Sequence, residues 1–238
     1  MEVCITIDVE QDCPPYLDSY RGIEEGMPQL MALLREEGVP ATFFTTGDVA
    51  RRYPAVVRRI VAEGHELGAH GDTHRRFSEL DAAQARAELE AASATLRAFA
   101  PVVSFRAPNL DLPACVLPLL RQHGYRIDSS QGRHKHGLYF RRPRVHREAG
   151  LWRVPASLPP SVLRAPGPLP NLLCALCESP FVPFYHPWDF VDLRGAPIPL
   201  DCRLRSGEAA LRHLRRTIRW LRRRGARFLR LADLSFPD

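Results

Sequence analysis

Residues 41–74 read ATFFTTGDVARRYPAVVRRIVAEGHELGAHGDTH. ATFFTTG (41–47) reads as a strand. Asp48 stands where it can cap a helix over 49–63, whose inner face carries Val49, Val56, Val57 and Ile60. HELGAH (65–70) reads as a second, short strand. Strand, helix and strand in this order form a crossover unit, and the crossover implies parallel pairing.

The same alternation extends in both directions. Upstream, VCITID (3–8) is an apolar run with β-branched residues that ends in an acid. Residues 22–37 place Ile23, Met27, Leu30, Met31 and Leu34 at helical spacing, and Gly38 stops that helix. Downstream, Asp81 caps an alanine-rich helix over 82–99, followed by a strand at 102–105, a helix over 112–123 ended by Gly124, and a strand at 125–128. Proline crowds 130–170, which predicts a loop or lid there. A short helix at 171–178 and a strand at 181–186 follow. The helix over 207–223 turns Leu211, Leu214, Ile218 and Leu221 inward and arginines outward, and RFLRL (227–231) closes the chain. About seven alternations in 238 residues predict one domain, 1–238: an α/β, distorted (β/α) barrel with seven or eight parallel strands.

Composition bounds the function. Apolar residues make up 45% and charged residues 25%, an ordinary globular balance. No run of 18 apolar residues exists, so no membrane-spanning helix is expected. The first ten residues read as a strand and not as a signal peptide, which with six cysteines leads to the expectation of a cytoplasmic protein with reduced thiols. The net charge is +6, carried almost wholly by arginine. The excess lies at 133–147 and 203–230. The second stretch lacks the spaced aromatic residues of a nucleic-acid platform and fits the outer face of a helix, so no nucleic-acid partner is expected.

Barrel enzymes carry their chemistry at the C-terminal ends of strands. Asp8, His70, Arg106, Asp128 and His186 all fall at or just after such ends. His70 and His74, four apart in HGDTH, can reach one metal ion if the chain turns at Gly71, and imidazole suits zinc and similar cations. Asp8, Glu10 and Asp12 in IDVEQD offer a third ligand, and two histidines with one carboxylate leave positions open for water and substrate. Arg106 in RAPN can hold a strand-end carboxylate ionised. His186 in FYHP closes an apolar strand, where it is either a packed histidine or a general acid. Cys174 and Cys177, in NLLCALC, read as packed helix residues. Cys13, close to the acids, reads as a small packed residue whose thiolate could oxidise.

In order and in kind, IDVEQD, HGDTH, RAPN and FYHP resemble the motifs of the polysaccharide deacetylase family, metal-dependent carbohydrate esterases with a distorted barrel. The resemblance runs over residues 2–190. It implies that His70 and His74 are metal ligands, Asp8 the catalytic base, Arg106 the residue orienting that base and His186 the general acid. Two departures stand out. The family's first motif has adjacent aspartates, the second of which binds metal. Here Val9 follows Asp8, so the ligand is Glu10 or Asp12. The family's acid and tryptophan that tune the general acid and wall the acetyl pocket have no clear match, and Asp128, Trp152 and Trp188 are the candidates.

The implied reaction is metal-dependent removal of acetyl from an N-acetylated sugar, with a divalent ion, zinc by the donor set, as cofactor. The alternatives are an allantoinase-like amide hydrolase and an inactive sugar-binding barrel. The expected partner is a small-molecule or carrier-linked acetamido sugar. Arginines and histidines in 133–147 suit an anionic one, and the apolar stretch 155–173 suits peripheral membrane contact.

Overall fold

The computed structural model describes residues 1–132, 144–167 and 169–236. Its strands are β1 (Glu2–Val3), β2 (Ile5–Val9), β3 (Ala41–Thr45), β4 (Glu66–Ala69), β5 (Ser104–Phe105), β6 (Ile127–Asp128), β7 (His146–Glu148), β8 (Leu151–Arg153), β9 (Phe184–Tyr185) and β10 (Arg227–Phe228). Its helices are α1 (Met27–Glu37), α2 (Gly47–Arg52), α3 (Pro54–Ala62), α4 (Ala82–Arg97), α5 (Leu117–Gln122), α6 (Pro160–Leu163), α7 (Leu169–Ala175), α8 (Leu200–Arg203) and α9 (Glu208–Arg223). No helix among the described residues is long and apolar enough to cross a membrane. The chain divides into two compact units: residues 1–41 with 157–229, and residues 42–156 with 230–238.

In the first unit β2 pairs in parallel with β9, and β1 with β10. Every residue of β2 is buried. Helix α9 buries Ala210, Leu214, Thr217, Ile218 and Leu221. Its arginines have a structural use: Arg215 binds Glu36 at 2.5 Å, and Arg219 and Arg222 bind Glu37 at 2.8 and 3.4 Å. They join α9 to α1, which accounts for part of the basic C-terminal stretch without a nucleic-acid partner.

In the second unit β3, β4, β5, β6 and β8 pair in parallel, in that order. β7 folds back antiparallel on β8. This hairpin lies where the sequence predicted only a loop, because the exposed and half-buried His146, Arg147 and Glu148 of β7 give no apolar alternation. The basic stretch 133–147 lies outside the described residues as far as 143. The helix expected over 49–63 is two helices. Pro54 has no N–H to donate and bars Tyr53 from helical geometry (φ −126°, ψ 55°), so the chain breaks there. Thr46, and not Asp48, is the cap: its side chain accepts from the Val49 N–H at 3.3 Å. Asp81 caps α4 as expected, in a reciprocal box with Gln84. The core gathers Leu89 and Leu96 of α4 around Phe77, Phe105 and Tyr125, whose rings meet edge to face at 5.6 and 5.4 Å.

Glu66 ties this unit together. Its buried carboxylate accepts from the Thr42 hydroxyl at 2.7 Å, the Ser104 hydroxyl at 2.5 Å and the Ala232 N–H at 3.0 Å. The segment after 230 is thereby fastened to β3, β4 and β5. Burial raises the Glu66 pKa above its ordinary value, against the pull of those three donors. A raised folded pKa means a contribution to stability that is complete below the unfolded value and is lost as pH rises through the folded one. Glu66→Ala, which strands three buried donors, should cost about 2–3 kcal/mol by urea unfolding. Glu66→Gln should cost less, with its deficit shrinking as pH rises above the ordinary carboxylate range, because only the wild type must then bury a charge.

Candidate active site

The second unit supplies two histidines on a clamped turn. His70 follows β4 and is buried. Its Nδ1 lies 2.8 Å from the Arg106 carbonyl oxygen. A carbonyl can only accept, so Nδ1 carries the proton and Nε2 presents its lone pair. The ring of His74 lies 5.3 Å from that of His70, centroid to centroid. Between them Gly71 takes φ +73°, and His74 itself takes φ +60°, unusual for a side chain of this size. Glu88 of α4 holds the turn in that shape: its carboxylate accepts from the backbone N–H groups of Asp72 (2.8 Å) and Thr73 (3.0 Å) and from the Thr73 hydroxyl. Arg51 grips the Asp72 carboxylate with two nitrogens, at 2.7 and 3.0 Å. Gly47 must be a glycine, since a Cβ there would sit 2.0 Å from that carboxylate.

Arg106 is wholly buried. Its guanidinium lies over the Phe44 ring, 4.3 Å from the centroid, and donates to the Ser129 hydroxyl at 2.8 Å. Asp128 is engaged within its own neighbourhood: Arg153 pairs with it at 2.7 Å and the Ser130 hydroxyl donates to it at 2.5 Å. Burial raises its pKa, and Arg153 opposes the rise. Trp152 stacks on Phe236 at 4.7 Å.

The first unit supplies the acids and His186. Asp8 and Glu10 are buried at and just after the end of β2. Asp12 has both carboxylate oxygens taken by its own loop: Oδ1 accepts from the Gly22 N–H at 2.8 Å and Oδ2 from the Ser19 hydroxyl at 2.7 Å. It closes the turn that begins α1's approach, and a Cβ on Gly22 would meet the Trp188 nitrogen at 2.5 Å. His186 follows β9. Its Nε2 lies 3.8 Å from Glu10 Oε1 and its Nδ1 3.4 Å from Asp189 Oδ2. Trp188 stacks against the ring at 4.4 Å and 13°. Burial alone pulls the His186 pKa down, but Asp189, Glu10 and Asp8 pull it up further, to about 9.

Asp189 is thus the acid that supports His186, a role for which the sequence reading offered Asp128. Asp189 also receives the His186 backbone N–H at 2.8 Å, and its other oxygen pairs with buried Arg164 at 3.2 Å. Of the candidates Asp128, Trp152 and Trp188, it is Trp188 that stacks on His186 within the first unit. The sequence signal for Asp189 was present: in HPWD it stands three residues after His186, the spacing of a one-turn box. Arg164, Glu88 and Arg51 carried no such local signal.

Residues 3–127 match the sequence model of a family described as polysaccharide deacetylase, over half of the chain. The chain belongs to the polysaccharide deacetylase family. Among curated relatives, it is 38% identical over 74 residues to a chitooligosaccharide deacetylase of Bradyrhizobium sp. (strain ANU 289), covering 31% of this chain and 34% of that one. It is 30% identical over 119 residues to a peptidoglycan deacetylase of Helicobacter pylori, covering 48% and 40%. The match therefore spans well under half the length of these relatives. Among solved structures, a family 4 carbohydrate esterase from Streptomyces lividans in complex with acetate aligns with a TM-score of 0.63 and 16% identity, covering 95% of this chain and 91% of that one. A family 4 pseudoenzyme from Bacillus anthracis aligns with a TM-score of 0.66 and 16% identity, covering 98% and 64%. At such identity the likeness is one of fold, and the fold is the distorted barrel expected from the sequence.

The clamp on the histidine turn can be tested without any ligand. Glu88→Ala removes the acceptor for two backbone amides, a loss of about 2 kcal/mol. Hydrogen exchange at Asp72 and Thr73 should then quicken by roughly thirtyfold, read by mass spectrometry of the peptide that spans them.

Proposed function

We propose that this protein is a metal-dependent deacetylase that hydrolyses the acetamide of an N-acetylated sugar, as the names of its curated relatives suggest. The observation that carries the reading is the histidine pair: His70, its tautomer fixed by the Arg106 carbonyl, beside His74 on a turn clamped by Glu88 and Arg51. An acceptor outside the first coordination sphere that takes the other ring N–H and so fixes the tautomer is the common arrangement for a metal-bound imidazole.

By the family motifs they match, His70 and His74 would hold the ion, with Glu10 as the carboxylate. Glu10 is preferred to Asp12 because both Asp12 oxygens already accept hydrogen bonds from its own loop. Two imidazoles and one carboxylate suit zinc. When bound, a divalent ion in such a set lowers the pKa of water and polarises a carbonyl. The remaining work falls to the chain. Asp8 is assigned as the base that takes the proton of the attacking water, with Arg106 keeping it ionised, on the strength of the family motifs they match. His186 is assigned as the acid that protonates the leaving amine. It is suited to this because Asp189, Glu10 and Asp8 favour its protonated form. Trp188, stacked on His186, is the candidate wall for the acetyl group. Linkage of the sugar to a carrier and a negative charge on it are part of this proposal, and rest on the arginine-rich sequence 133–147.

The metal assignment separates the two acids. Glu10→Gln and His74→Ala proteins should each lose most of their bound divalent ion by elemental analysis, while Asp12→Asn should keep the ion and lose stability. Unchanged metal content in His74→Ala would remove the site.

The reaction itself is tested by acetate release from N-acetylglucosamine oligomers, with the metal-loaded protein. Acetate and free amine should appear together. Asp8→Asn should keep the fold and lower turnover by about 100-fold or more, as expected of a general base. Metal-loaded protein that releases no acetate from any acetamido sugar would point to the inactive or non-sugar alternatives.

A further inference from the structure

Cys13 and Cys202 belong to distant parts of the chain, yet they meet at one apolar cluster, near enough for each thiol to shift the titration of the other. Cys13 is buried in an apolar cluster with Trp188, Val191, Leu193 and Ile198, and Cys202 packs against that cluster from α8. Both thiols are free. Cys13 follows Asp12 in the first loop and takes φ +42°, so the loop turns sharply where it presents this sulfur. On the other side, the carbonyls of Asp201 and Cys202 accept from Arg164 at 2.9 and 3.1 Å. Arg164 in turn pairs with Asp189, which supports His186. Cys13 and Cys202 therefore meet where the loop that follows Glu10 packs on the segment that anchors the His186 support.

We propose that Cys13 and Cys202 are a redox pair, closed to a disulfide by hydrogen peroxide and reopened by thiols, that fastens the first loop to α8. This goes beyond the deacetylase reading and does not depend on it. The two partners are unequal. Cys202 is half-exposed and open to an oxidant, whereas Cys13 is buried. The Cys13 thiol donates to Cys202, which holds the Cys202 thiol below its ordinary pKa, while Cys13 is pushed up by the same contact and by burial. Cys202 is accordingly the sulfur that reacts first.

The chemistry balances in two steps. The Cys202 thiolate attacks one oxygen of hydrogen peroxide; the O–O bond breaks, leaving a sulfenic acid and a hydroxide that becomes water on protonation. The Cys13 sulfur then attacks the Cys202 sulfur. The S–O bond breaks, and the hydroxide leaves with the Cys13 proton as a second water. Two thiols are oxidised by two electrons and one peroxide is reduced. The sulfurs must close to about 2.05 Å, and α8, which buries none of its residues, can supply the movement.

The test uses the reduced full chain treated with one equivalent of hydrogen peroxide, then alkylated, digested and mapped by mass spectrometry. A linked peptide pair containing Cys13 and Cys202, lost again on treatment with dithiothreitol, is expected. In Cys13→Ser, a dimedone adduct should accumulate on Cys202. In Cys202→Ser, Cys13 should stay reduced. The proposal is overturned if exposed Cys115 is oxidised while the Cys13–Cys202 link is absent from the wild type. It is equally overturned if Cys13 is oxidised as readily in Cys202→Ser as in the wild type.

Discussion

A carboxylate taken fully out of water must be met by donors, and Asp189 is the case on which much else rests. It is wholly buried. An isolated charge in that position would cost several kcal/mol. Asp189 is met by the guanidinium of Arg164, by the His186 imidazole and by the His186 backbone N–H. Each partner is itself fixed by this demand. The turn Pro187–Phe190 is held in one shape, which brings Trp188 flat against His186. Arg164 reaches back to the carbonyls of α8. One buried charge thus orders the histidine beside it, the tryptophan stacked on that histidine and, through Arg164, the helix α8. Glu88 and Glu66 do the same work in the other unit, one for the histidine turn and one for the C-terminal segment.

What the sequence could reveal follows from how local each signal is. The strand at 41–45, the Asp81 cap and the apolar face of α9 are written within a few residues, and the structure has them where the pattern places them. The break at Pro54 was also local, but a run of apolar residues on both sides outweighed it. The acids of the first loop are different. Glu10 and Asp12 look equivalent in IDVEQD, and only Ser19 and Gly22, brought back by the loop, show that Asp12 is committed. Arg164 sits in a proline-rich stretch that reads as a loop, and nothing near it announces a buried ion pair with Asp189. The Cys13–Cys202 contact is of the same kind: two ordinary cysteines whose meaning lies in the fold that joins them.

Fold likeness does not supply chemistry. The same backbone aligns with an esterase holding acetate and with a pseudoenzyme, so the case for activity rests on protonation states at particular nitrogens. His70 and His186 need opposite ones under the proposed reaction. A ligand must offer a lone pair, and an acid must hold a proton until the amine leaves. Their partners sort them. His70 faces a carbonyl oxygen, which fixes a proton on Nδ1 and leaves Nε2 as the nitrogen that can serve as a ligand. His186 faces Asp189 and Glu10, with Asp8 within electrostatic reach, and three carboxylates favour the imidazolium even against burial. An ion on Glu10 would offset part of that pull, leaving Asp189 as the carboxylate whose hold on the His186 proton does not depend on what Glu10 binds. Asp189 is anchored from behind by Arg164 and wholly buried, so its hold on His186 is set by the fold.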